Sequence, residues 1–97
     1  MIMYGLREEL IESVRKLAIK YNIRKVLLFG SRARGDFKER SDIDLAVTGG
    51  DVIAFSFAVD EETPTLLMFD VVNLDGNVQQ ELLDSIGKES VVLYEKV

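Results

Sequence analysis

The stretch "LLFGSRARGDFKERSDIDLAV", Leu27 to Val47, holds the most decisive pattern in the chain. An apolar run stops at Gly30 and Ser31, and ten residues after the serine come Asp42 and Asp44, one position apart. "LAV" follows Asp44 directly, so the second aspartate stands where a buried strand begins, although strand interiors are depleted in aspartate. Side chains alternate between the faces of a strand, which points Asp42 and Asp44 the same way with Ile43 opposite. Two neighbouring carboxylates repel each other, and a divalent cation between them removes the conflict. Mg²⁺ takes oxygen ligands of this kind, usually one or two carboxylates completed by substrate phosphates and water. A plainer reading makes Asp42 a cap for the turn before the strand; it does not account for Asp44.

Outward from this stretch the chain alternates between helical and extended patterns. In "MIMYGLREELIESVRKLAIKY" the residues Leu6, Leu10, Ile11, Val14, Leu17, Ala18 and Tyr21 recur at helical spacing, predicting an amphipathic helix that ends at Asn22. Glutamates early and basic residues late complement its dipole. "KVLLFG" is an apolar run closed by glycine, as expected of a strand covered on both faces, and "DIDLAV" is the next strand. "DVIAFSFAVDEE" is read as a helix capped by Asp51 and broken off by Pro64, although its valines and phenylalanines would tolerate a strand. "TLLMFDVVNL" is a third strand. A helix from Asn77, capped at Gly87, and the strand "SVVLYE" complete the order. That order predicts an α/β (α+β) two-layer sandwich, with a mixed sheet of about four strands and flanking helices. Residues 1–97 are read as one domain.

Asp70 interrupts the apolar "LLMFDVVNL". An unpaired buried carboxylate costs several kcal/mol, so it needs a partner or must face water. It could pair with an arginine, or lie on an edge strand, or, if its strand adjoins "DIDLAV", meet Asp42 and Asp44 at one point. Three carboxylates on one face describe a site for one or two metal ions. Gly30 allows a phosphate close to the backbone, and Ser31 adds a hydroxyl and can cap a short helical turn. Arg32 and Arg34 either add positive charge for an anion or are solvated.

The chain has no cysteine and a net charge of −5, with nearly half of its residues apolar. No disulfide framework or thiolate metal site is possible, and the core must hold by packing. The acidic balance argues against direct nucleic-acid binding. Yet between Arg32 and Arg40 four basic residues face two acidic ones, a local excess that suits a small anionic ligand. No run approaches the ~20 apolar residues of a membrane span, and early glutamates make the N-terminus read as an amphipathic helix rather than a signal peptide, so a cytoplasmic location is expected.

"GSRARGDFKERSDID" matches the G-S-x10-D-x-D pattern of the DNA polymerase β-like nucleotidyltransferases, and Asp70, about 25 residues on, falls at the family's third carboxylate. "GSRARG", "SDIDLAV" and "FDVVNL" further resemble the minimal nucleotidyltransferases (MNT), antitoxins paired with HEPN-domain ribonucleases. The resemblance covers nearly the whole chain. It implies transfer of AMP from ATP, or of another nucleoside monophosphate, to a tyrosine of the HEPN partner. It further implies Asp42, Asp44 and Asp70 as catalytic and Mg²⁺-binding residues, two metal sites with nucleotide bound, and Gly30 and Ser31 as triphosphate ligands. Two rivals exist: a non-catalytic antitoxin that neutralises its toxin by contact, and an enzyme that modifies RNA ends.

Overall fold

A computed structural model describes residues 2–97. Its first element is not the expected helix. Ile2–Met3 (β1) and Leu6–Arg7 (β2) form a two-stranded ribbon joined by Tyr4 and Gly5, which both have positive φ, 57° and 70°. Two such residues make the primed turn that matches the twist of a hairpin. The space also demands glycine at position 5, since a Cβ there would collide with the Phe37 ring. Helix α1 therefore starts only at Glu8 and runs to Lys20. Leu6, expected on the helix, reaches the same core from β2.

The end of α1 falls where the sequence places it. Asn22 adopts φ 59°, its N–H donates to the Ile19 carbonyl, and the Ile23 N–H donates to that of Ala18. This pair of bonds satisfies carbonyls the helix end would leave open. The chain continues through β3 (Lys25–Phe29), α2 (Gly30–Arg34), β4 (Ile43–Thr48), α3 (Val52–Glu62), β5 (Phe69–Asn73), α4 (Gln80–Glu89) and β6 (Val91–Glu95). Asp51 does cap α3, accepting from the Ala54 N–H at 3.1 Å. Gly87 does not cap α4; the helix starts three residues after Asn77, at Gln80, and passes through Gly87 to Glu89.

The main sheet has the order β5-β4-β3-β6. Strand β3 is antiparallel to both β4 and β6, and β4 is parallel to β5, so the sheet is mixed. Alternation divides its side chains cleanly. Val26, Leu28, Ile43, Leu45 and Val47 pack against α1 and α3 in the principal core, with Val52, Phe55, Ala58 and Val59 of α3 facing inward and Ile53 and Phe57 exposed. On the other face Phe29 and Ala46 meet Ile86 of α4, with Leu27, Val72 and Leu82 around them. Asp44 and Asp70 belong to this second face by parity. Among the described residues no helix is long and apolar enough to cross a membrane.

Candidate active site

The first anchor of the site is the pairing of β3 with β4, which sets Phe29 opposite Asp44. Gly30 follows with φ 74°, and a Cβ at this position would run into the Asp44 carboxylate. Glycine is thus required for two reasons, the left-handed backbone and the close approach of Asp44. The second anchor is the parallel pairing of β4 with β5, which sets Asp44 directly beside Asp70. The Ile43 N–H donates to the Met68 carbonyl at 2.8 Å and ties together the chain segments entering both strands. Asp42 precedes β4 by one residue and is exposed. Ser41, not Asp42, closes the turn before the strand: its hydroxyl accepts from the Lys38 N–H at 2.8 Å.

The electrostatics report the same convergence. Burial holds the Asp44 carboxyl above the usual carboxylate range; the negative charges of Asp70 and then Asp42 push it further, and Arg34 and Arg32 pull the other way. Asp70 is exposed on the edge strand β5, so the water-facing reading and the shared-site reading of this residue hold together. Ser31 lies inside α2 rather than capping it, and its hydroxyl has no hydrogen-bond partner among the described residues. It remains a free donor next to Gly30.

The two arginines separate. Arg34 is exposed at the rim, bonded to Glu89 at 2.9 Å and Asp36 at 3.3 Å, and its charge is felt by Asp44. Arg32 is only 1% exposed and does not line an open site. Its guanidinium donates to the carbonyls of Ser41, Glu39 and Tyr4 at 2.9–3.2 Å and stacks 5.0 Å from the Phe37 ring centroid. The expectation that it binds an anion is therefore corrected: it joins the ribbon, α2 and the loop leading to Asp42. Asp75 is an anchor of the far end of the β4–β5 pair that the sequence did not single out. Its carboxylate accepts from the Thr48 hydroxyl and the Gly49 N–H, linking the end of β4 to the loop after β5. The only sequence signal was an aspartate beside glycine in "NLDGN", which reads as an ordinary turn.

Among the described residues no three His, Cys, Asp or Glu side chains form a group that could hold a metal ion by themselves. The donor chemistry nonetheless fits Mg²⁺, because Asp44 carries the strain of its acidic neighbours and a hard cation needs only one or two protein carboxylates when phosphates supply the rest. Asp42 and Asp44 are the residues that would hold it, with Asp70 beside them.

Adjacent aspartates on a mixed sheet beside a glycine–serine turn are groups suited to holding a phosphate together with a hard cation. The chain belongs to the family described as "Polymerase beta, Nucleotidyltransferase", whose model matches residues 12–97. It is 44% identical over 63 residues to a "putative protein adenylyltransferase" of Methanocaldococcus jannaschii; the match covers 63% of this chain and 61% of that protein. The chain thus matches about three fifths of the length of that relative. Among solved structures it is similar to a chain of a toxin–antitoxin complex with AMP-PNP, at TM-score 0.68 and 21% identity over 89% of this chain and 73% of that one. A toxin–antitoxin MntA–HpeT mutant gives TM-score 0.66 at 19% identity, over 89% and 73% of the two chains. A nucleotidyltransferase-like structure from Sulfolobus solfataricus gives 0.50 at 20% identity, over 90% and 81%. These likenesses bear out the predicted fold.

Proposed function

We propose that this nucleotidyltransferase moves AMP from ATP onto a hydroxyl of a partner protein, a tyrosine of a HEPN ribonuclease, and so acts as that toxin's antitoxin. The observation that carries the reading is the register pair Asp44–Asp70 with Gly30 packed against Asp44. The adenylyltransferase description of the 44%-identical relative supports the donor and the protein acceptor. The two toxin–antitoxin neighbours, one with AMP-PNP, favour the antitoxin role. The HEPN tyrosine comes from the MNT resemblance of "GSRARG", "SDIDLAV" and "FDVVNL".

In the reaction the acceptor oxygen attacks the α-phosphorus in line, the bond to the bridging α–β oxygen breaks, and pyrophosphate leaves. Asp70, exposed on the edge strand, takes the hydroxyl proton and passes it to solvent. The Gly30 backbone lets the triphosphate approach closely, and the Ser31 hydroxyl donates to it. Asp42 and Asp44 would hold Mg²⁺, which when bound neutralises charge developing on the phosphoryl oxygens. Most of the acceleration then comes from positioning and charge stabilisation.

The test is incubation with ATP and Mg²⁺, with and without the HEPN partner, read by intact mass. The expected result is addition of AMP to the partner, reduced about 100-fold or more by Asp44→Asn. Neutralisation of the toxin without ATP, at stoichiometric protein and with no mass change, would replace catalysis with simple contact.

A further inference from the structure

We propose that Arg32 is a positioning residue for the transfer reaction: its guanidinium fixes the peptide unit that carries Asp42 and ties that unit to the Gly30–Ser31 turn. The proposal rests on the nucleotidyl-transfer reading above and adds what sets the spacing between the two halves of the site.

The sheet by itself does not place every acidic group. Asp44 is fixed by register, opposite Phe29 on β3 and beside Asp70 on β5. Asp42 lies one residue before β4, and neither strand pairing includes it. The peptide bond into Asp42 is held from its Ser41 side instead. Arg32 Nε and Nη2 both donate to the Ser41 carbonyl, at 3.1 and 2.9 Å, so two donors of one planar fork fix a single oxygen. On the other side of Asp42, the Ile43 N–H is bound to the Met68 carbonyl.

The fork is itself held on every side. Arg32 follows Ser31 directly on α2 and is buried. Nη2 also donates to the Glu39 carbonyl at 3.2 Å, and Nη1 to that of Tyr4 at 3.1 Å. The Phe37 ring stacks on the guanidinium, and Gly5 of the ribbon backs both, since a Cβ there would meet the ring and Nη1. Ser31 and Asp42 are thus the two ends of one rigid unit, whose centre is the guanidinium. Groups that hold a ligand must keep their places to within about 0.5 Å, and the partners behind them do that work. Losing such a partner commonly costs about 10–100-fold in metal affinity or activity. Lysine would keep the positive charge near Asp44 but cannot give two parallel donors to one oxygen. A loss in the lysine variant therefore reports geometry and not charge.

The experiment measures Mn²⁺ affinity in the presence of ATP, by electron paramagnetic resonance, on the full chain well below its melting temperature. Arg32→Lys should weaken Mn²⁺ about tenfold and slow AMP transfer by a similar factor. Phe37→Leu, which loosens the stack and keeps the fork, should weaken it in the same direction by less, and it carries the test if Arg32→Lys does not fold. Val14→Ala, in the core on the opposite face of the sheet, lowers stability without touching the fork and should leave Mn²⁺ affinity unchanged. Arg32→Lys combined with Asp42→Asn should bind no more weakly than Asp42→Asn alone, because the guanidinium acts through Asp42. Unaltered affinity in folded Arg32→Lys, or in Phe37→Leu where the lysine variant does not fold, would overturn the positioning role and leave Arg32 to folding alone. Equal weakening by Val14→Ala, or losses that add in the double variant, would do the same. In all of these the nucleotidyl-transfer reading survives if Asp44→Asn still abolishes the Mn²⁺–ATP binding of the original protein. An original protein whose Mn²⁺ affinity neither rises with ATP nor depends on Asp44 sinks both.

Discussion

Arg32 and Asp44 are neighbours with opposite problems. Arg32 is a cation placed where water does not reach, and burial lowers its affinity for a proton while the charge of Asp44 raises it. Its donors satisfy three loop carbonyls at once, so removal leaves part-buried carbonyls without those partners. Arg32→Met should destabilise the protein by about 3 kcal/mol or more, measured by urea denaturation, and Arg32→Lys should recover only part because an ammonium lacks the planar fork. Asp44 is an anion placed beside other anions. Its proton affinity is raised in the fold, so folding favours its protonated form, and that contribution disappears as pH rises through the folded value. Metal-free Asp44→Asn should therefore melt above the original protein at pH 7, and the difference should shrink to nothing below the ordinary carboxylate range. An unchanged melting temperature at pH 7 would mean the site carries no electrostatic strain. On the proposed mechanism, the substitution expected to remove activity is also the one expected to stabilise the fold, a relation common at sites built for function.

At the scale of elements the parallel pairing of β4 with β5 does the assembling. A parallel pair needs a crossover, and α3 supplies it, packing Phe55 and Val59 into the core on the way back. Phe55→Ala should cost about 3–5 kcal/mol, since that side chain is fully buried. Asp75 locks the far end of the same pair. The Thr48 hydroxyl and then the Gly49 N–H hold its carboxyl below the usual range. A lowered value in the fold gives stability that is present above the unfolded value and lost as pH falls through the folded one. Asp75→Asn should lower the melting temperature at pH 7, and the gap should close in acid. Equal loss at every pH would assign the effect to packing instead.

For the whole molecule, the principal core lies on one face of the sheet and the aspartates on the other, where α2 and α4 give only partial cover. The arrangement leaves Asp42 and Asp70 exposed to solvent while the stabilising bulk lies behind them. Because no three acidic side chains form a metal-holding group among the described residues, a hard cation alone should bind weakly. Mn²⁺ titrations followed by electron paramagnetic resonance should give a clear gain in affinity when ATP is added, as expected if phosphate oxygens complete the coordination. Tight Mn²⁺ binding without nucleotide would contradict this account.

Local chemistry written along the chain determined most of the elements: the helical period of α1 and its αL stop at Asn22, the Asp51 cap of α3, and the apolar runs of β3, β4 and β6. The same local chemistry marked Gly30, Ser31, Asp42 and Asp44, because "GS" and "DID" each have an immediate backbone meaning. It failed where a distant contact overruled it. The N-terminal ribbon replaces helix because Gly5 packs against Phe37 and Arg32, more than 25 positions away. Arg32 is structural and Asp75 is an anchor for the same kind of reason. Above all, Asp70 becomes a partner of Asp44 only through strand order, which no stretch of residues 69–73 encodes. Periodicity and capping act within a turn or two of helix or a few residues of strand; the placing of Asp70 beside Asp44 depends on which strands pair, and that is decided by burial of the whole core.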